Sequence, residues 1–265
     1  MYTRPTTPQN ITGVLDDGFR LYMGGLKKVL LLSFIGSVLS TLPQAAITMM
    51  GENPQIENFN ATLVIIGAVI FLAVIMASMV TYAGVMLQME AFANGRGLPL
   101  ADAVMAGLGR TLPMLGAGVL LALGVMAGLI LLLIPGMILM VYWALALVTV
   151  VIDRKGPVEC LSYSFFLIRG SWWRTTAILT VLFLITMVMY TILMIFLVGG
   201  AIGGVSSSGE AETAFIDTVT LVVAPIFFTV LTPFGAAFLL AIRHDLKMRK
   251  EGSDLAARID SSITD

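Results

Sequence analysis

Long runs of apolar residues without a single charged side chain alternate with short charged segments along this chain. The uncharged runs cover 29–51, 61–89, 111–152, 175–209 and 218–242. A helix over 29–50 rises about 33 Å at ~1.5 Å per residue, close to the ~30 Å of a bilayer's hydrocarbon core. The run 111–152 is nearly twice as long, and Pro135-Gly136 supplies a turn inside it. It therefore predicts two helices, 112–134 and 137–152. Because the second is short, a re-entrant hairpin is the alternative to a full crossing. The pattern predicts an all-α, polytopic membrane protein with six transmembrane helices, at about 29–50, 61–91, 112–134, 137–152, 173–198 and 216–242.

The segments between the spans carry a helical pattern of their own. Ile11, Val14, Leu15, Gly18, Phe19 and Tyr22 recur at helical spacing, with Asp16, Asp17 and Arg20 between them. Pro99 to Arg110 repeats the pattern through Val104, Met105 and Leu108. Pro157 to Arg169 repeats it through Val158, Leu161, Phe165 and Leu167-Ile168. These predict three interfacial amphipathic helices. Each precedes two spans, so one membrane domain over 1–250 divides into units of about 10–91, 98–152 and 157–248, a three-fold pseudo-repeat. A short tail follows over 251–265, with a helix around Leu255, Ala256 and Ile259 and a frayed end.

Composition agrees: 58% of residues are hydrophobic and 12% charged, against roughly 25% charged in soluble domains. The net charge of −1 conceals a strong asymmetry. All fifteen Lys and Arg fall in segments 4–28, 96–110, 154–174 and 243–258, whereas the intervening loops hold only Glu52, Glu57, Glu210, Glu212 and Asp217. Basic loops stay cytoplasmic, so both termini are expected in the cytoplasm, and the first apolar run begins too late for a signal peptide. A lone Cys160 excludes an intrachain disulfide and a thiolate cluster. No basic stripe interleaved with aromatics points to nucleic acid.

Little catalytic chemistry is visible. His244-Asp245 is the one pairing of a base with a carboxylate, and helix neighbours point about 100° apart. No metal-ligand cluster, phosphate loop or activated nucleophile stands out, so no enzyme activity, cofactor or metal is expected. Ser206–Gly209 reads as a loop. For transport, no ionisable side chain lies well inside a span, where ion-coupled carriers usually keep one. Glu90 falls at a helix end near Arg96. A kinked last span with Pro225 and Pro233, and Thr229 and Thr232 beside them, is the candidate cavity for small-molecule or lipid transport. Gly36/Ser40 and Gly124/Gly128 predict close helix packing, and the seventeen methionines read as adaptable filler.

Trp172, Trp173 and Arg174 open the fifth span. With Arg20, Lys27, Lys28, Arg169 and Arg243 they form the candidate site for anionic lipid headgroups at one leaflet. Cys160 is read as a buried thiol rather than a lipidation site. Membrane lipids are the expected partners, with a protein partner or a homo-oligomer left open.

Four stretches also resemble a known family: ITGVLDDGFRL at 11–21, IPGMILMVYWALA at 134–146, GPVECLSYSFFLIRGSWWRT at 156–175 and HDLKMRKEGSDLAAR at 244–258. Together they are similar to bacterial membrane proteins grouped with the membrane domain of glycerophosphoryl diester phosphodiesterases. The resemblance implies a polytopic fold in the inner membrane. In the family's enzymes a separate soluble domain carries the phosphodiester chemistry, so the activity in the name is not implied here. The expected role is non-enzymatic binding or organisation of anionic lipid. The alternatives are a transporter or an accessory subunit of a separately encoded enzyme.

Overall fold

A computed structural model describes residues 2–51, 61–205 and 219–264, with side chains over 2–42, 65–195 and 221–252. The acidic loop residues Glu52, Glu57, Glu210, Glu212 and Asp217, and the loop 206–209, lie outside the described residues. All regular structure among the described residues is helical: α1 (Ile11–Gly51), α2 (Ala61–Ala93), α3 (Leu100–Leu131), α4 (Leu133–Tyr142), α5 (Ala146–Ile152), α6 (Pro157–Ile168), α7 (Trp172–Val205), a π-helical turn (Val219–Val223) and α8 (Ala224–Thr264). Six segments are long and apolar enough to cross a membrane, with α4 and α5 together making one of them. The protein is a multi-pass membrane protein.

The helices run longer than the apolar pattern predicts. Residues 11–22 and 29–50 form one uninterrupted helix of 41 residues, about 62 Å long and roughly twice the hydrocarbon core. Gly24 and Gly25 do not break it. A Cβ on Gly25 would stand 2.4 Å from Met89 Sδ, so the pair serves close approach of α1 to α2. The apolar stripe of this first segment is divided: Val14 and Tyr22 are buried and a Cβ on Gly18 would meet the Phe238 ring at 2.8 Å, whereas Ile11 and Phe19 are exposed. Likewise α3 joins the stretch 100–110 to the third span in one helix containing Pro113. Only α6 stands alone, because Arg154 and Gly170 turn the chain at φ +58° and +88° on either side of it, and Pro157 starts it where a missing N–H is harmless. α8 continues through the predicted tail to Thr264.

The turn between the third and fourth spans falls at Leu132, in extended conformation, three residues before Pro135. Pro135 sits in the first turn of α4, where its ring obstructs no helical hydrogen bond. The fourth span is further divided after Tyr142, before Ala146. α3 and α4 are held together through glycine: a Cβ on Gly136 would lie 2.7 Å from Leu129 N, and one on Gly128 2.9 Å from Gly136 Cα. Backbone atoms cannot give way as a flexible side chain does. Gly136→Val is therefore expected to cost about 3 kcal/mol, the upper part of the usual overpacking range, read as a lower melting temperature in detergent; an unchanged melt would contradict the packing. Gly124 has the same purpose, with Trp143 packed over it. The core runs along the α1–α8 contact and through α2, where Leu21, Leu32, Met86, Met89 and Leu240 are all but inaccessible.

Candidate functional site

Charged side chains gather where the C-terminal ends of α2 and α5, the start of α7 and the middle of α8 meet. Arg243 of α8 is buried and grips Asp153 with its Nε (2.7 Å to Oδ2) and Nη2, while its Nη1 lies 3.7 Å from Glu90. Lys247 Nζ stands 3.5 Å from the same aspartate. Asp245, also buried, accepts from Arg174 of α7 and from Arg249 at 3.0 Å.

Residues 2–10 carry no regular structure and are strapped across this end. Arg4 forms a double hydrogen bond with Glu90 (2.9 and 3.1 Å), the Gln9 amide donates to Asp245 Oδ1 (2.7 Å), and Arg174 and Arg249 both donate to the Gln9 carbonyl. Tyr2 donates to Asp17 at 2.9 Å. Burial, with the Asp17 carboxylate beside it, holds the Tyr2 phenol well above its ordinary pKa, so it remains a donor throughout the physiological range. His244 Nε2 faces the Pro5 carbonyl at 2.9 Å while Asp245 faces Arg174, so the two neighbours serve different partners.

The eight candidate headgroup residues separate into two kinds. Arg174 and Arg243 are committed to Asp245 and Asp153. The others keep an accessible charge or ring. Arg20 pairs with Asp16 at 2.9 Å, with 71% and 56% of the two side chains exposed; such a pair contributes little and exchanges readily for another anion. Lys28 stands 4.7 Å over the Phe92 ring, and Lys27 is exposed. Arg20 and Lys28 line one cleft of about 640 Å³ with Tyr2, Thr3 and Phe92. Arg169, exposed at the C-terminal end of α6, does not line this cleft, and Trp173 is exposed near the start of α7. Trp172 stacks edge-on against Trp173 at 4.7 Å, its indole Nε1 buried without a partner.

The candidate transport residues resolve differently. Pro225 and Pro233 are buried in the packing, and the Thr229 hydroxyl donates to the Pro225 carbonyl at 2.7 Å and meets Ser37 Oγ at 2.9 Å. Thr232 instead opens on a cleft of about 210 Å³ between α1, α2 and α8, shared with Ser33, Ser37, Ser40, Ser78, Thr81 and Tyr82. The sequence reading missed these hydroxyls, although Ser33, Ser37 and Ser40 already fall on one helix face at spacings of four and three. It also missed the ion-pair roles of Arg4, Asp153 and Asp245, whose partners are 71 to 90 residues away. Glu90 was placed near Arg96, but its partner is Arg4.

Cys160 is buried, its thiol directed at the Pro157 carbonyl (3.1 Å). Among the described residues no group of three His, Cys, Asp or Glu could hold a metal ion. Compared with protein-family models, with curated proteins and with solved structures, the chain gives no match.

Proposed function

We propose that this is a non-enzymatic, multi-pass protein of a bacterial cytoplasmic membrane, with both termini cytoplasmic, that binds anionic lipid headgroups at its polar end. The observation that carries this reading is the cleft shared by Arg20 and Lys28. Its two cations stand about two turns apart on α1, and among the described residues no buried carboxylate pairs with them. Arg243 and Arg174 serve the fold instead, which narrows the candidate set to residues a headgroup can reach. Two supports come from the sequence: the placement of all fifteen basic residues on one side of the spans, and the resemblance of 244–258 and three earlier stretches to the membrane domain of glycerophosphoryl diester phosphodiesterases.

Each Lys or Arg near an anionic surface contributes about 1 kcal/mol. Arg20→Gln with Lys28→Gln is therefore expected to weaken retention of phosphatidylglycerol and cardiolipin about thirtyfold in native mass spectrometry of protein released from membranes. Phosphatidylcholine should be retained as before. Arg169→Gln, at a separate place, provides the comparison. Unchanged anionic-lipid retention in the double variant would overturn the proposal.

A further inference from the structure

The cleft between α1, α2 and α8 sits at the same depth on all three helices. Ser37 lies nine residues beyond Lys28, Thr81 nine before Glu90 and Thr232 eleven before Arg243. At ~1.5 Å per residue these separations place it about 13–17 Å above the charged end, near the midplane of a ~30 Å hydrocarbon core. Seven of its eleven lining residues carry a hydroxyl, set among Leu32, Val85 and Phe228, and none is charged at neutral pH.

Most of these hydroxyls are already donating. Ser40, Ser78 and Thr81 give their protons to carbonyls of their own helices at 2.7–2.9 Å, Ser37 shares its proton between the Phe34 carbonyl and Thr229 Oγ1, and each keeps lone pairs that can accept a further hydrogen bond. The hydroxyls of Tyr82, on α2, and Thr232, on α8, have no hydrogen-bond partner among the described residues. The cleft thus offers several acceptors and two uncommitted donors from different helices. An ion at this depth would lose its hydration with no opposite charge to meet it. An apolar molecule would leave the Tyr82 and Thr232 hydroxyls unmatched. The volume corresponds to about seven water-sized groups at ~30 Å³ each.

We propose that this cleft is a binding site for a small uncharged polyol of the size of glycerol or erythritol, held by Tyr82 and Thr232 against the Ser37, Ser40 and Thr81 oxygens. It is separate from the headgroup cleft at the polar end and does not depend on that reading.

The test uses the full chain in proteoliposomes, with Cys160→Ala and a single reporter, Ser78→Cys, modified by methyl methanethiosulfonate. Erythritol is expected to slow the modification severalfold, whereas sucrose, too large for the cleft, leaves the rate unchanged at equal osmolality. In a Tyr82→Phe, Thr232→Val background the erythritol effect should disappear. Both substitutions keep the side-chain shape and remove oxygens that make no hydrogen bond within the fold. No slowing by erythritol would overturn the proposal and leave a cleft holding only water. Equal slowing by sucrose, or equal slowing in the double variant, would also overturn it, by tracing the effect to osmolyte action. The comparison of erythritol with sucrose decides the matter even if the double variant fails to fold.

Discussion

Replacing Arg243 by methionine is expected to destabilise the folded protein by about 3–5 kcal/mol, the range for breaking one side of a buried ion pair. Its side chain is 6% exposed and Asp153's 9%, so solvent cannot stand in for the lost partner. Asp153 would keep only Lys247, 3.5 Å away and one-third exposed, and would lose both hydrogen bonds of the guanidinium fork. Glu90 is better protected, because Arg4 still binds it through two hydrogen bonds. The loss therefore concentrates on Asp153. The double variant Arg243→Met, Asp153→Leu should recover most of the stability, since replacing both charges by apolar groups removes the desolvation penalty along with the attraction. Arg243→Lys should fall between, keeping the charge and losing the planar fork. Thermal unfolding in detergent orders the three. A single variant that melts with the parent would show that Arg243 does not anchor α8 to α5.

The six spans and the all-α class were legible because they depend on length and apolarity alone, which the bilayer thickness converts directly into helices. Helix boundaries were less so. The amphipathic stretch ending at Tyr22 and the span beginning at 29 read as two helices, yet one helix runs through Gly24-Gly25, and the space these glycines leave is taken by Met89 and Phe92. Pro135 marks a helix start as readily as a turn, and Leu132, where the chain does turn, has no local signature. Of the headgroup candidates, exposure of Arg20 and burial of Arg243 could not be told apart from sequence, since both are arginines in short charged segments flanking the apolar runs. What decides between them is a carboxylate 90 residues distant. The hydroxyl cleft was hidden for a related reason. A lone serine in an apolar helix can satisfy itself on a preceding carbonyl, and only the packing of α1, α2 and α8 shows how many share one space.

Asp245→Asn is expected to free the N-terminal strap. The carboxylate is 3% exposed and faces Arg174 and Arg249, which are 18% and 34% exposed. Asparagine keeps the shape and an oxygen for the Gln9 amide, but not the charge that holds two guanidinium groups together. Because those arginines are partly solvated, the expected loss lies below the range for a fully buried pair, at about 2 kcal/mol. The same arginines donate to the Gln9 carbonyl, so the loss should appear locally: the Gln9 amide, bonded to Asp245 Oδ1 at 2.7 Å, is expected to exchange roughly thirtyfold faster. Amides of α1 near Leu32, in the core, should exchange as in the parent. The strap also brings Tyr2 and Thr3 to the cleft of Arg20 and Lys28. Asp245→Asn should therefore weaken retention of anionic lipid without touching either cation, whereas unchanged Gln9 exchange would show that the strap is held by Tyr2, Arg4 and His244 without Asp245.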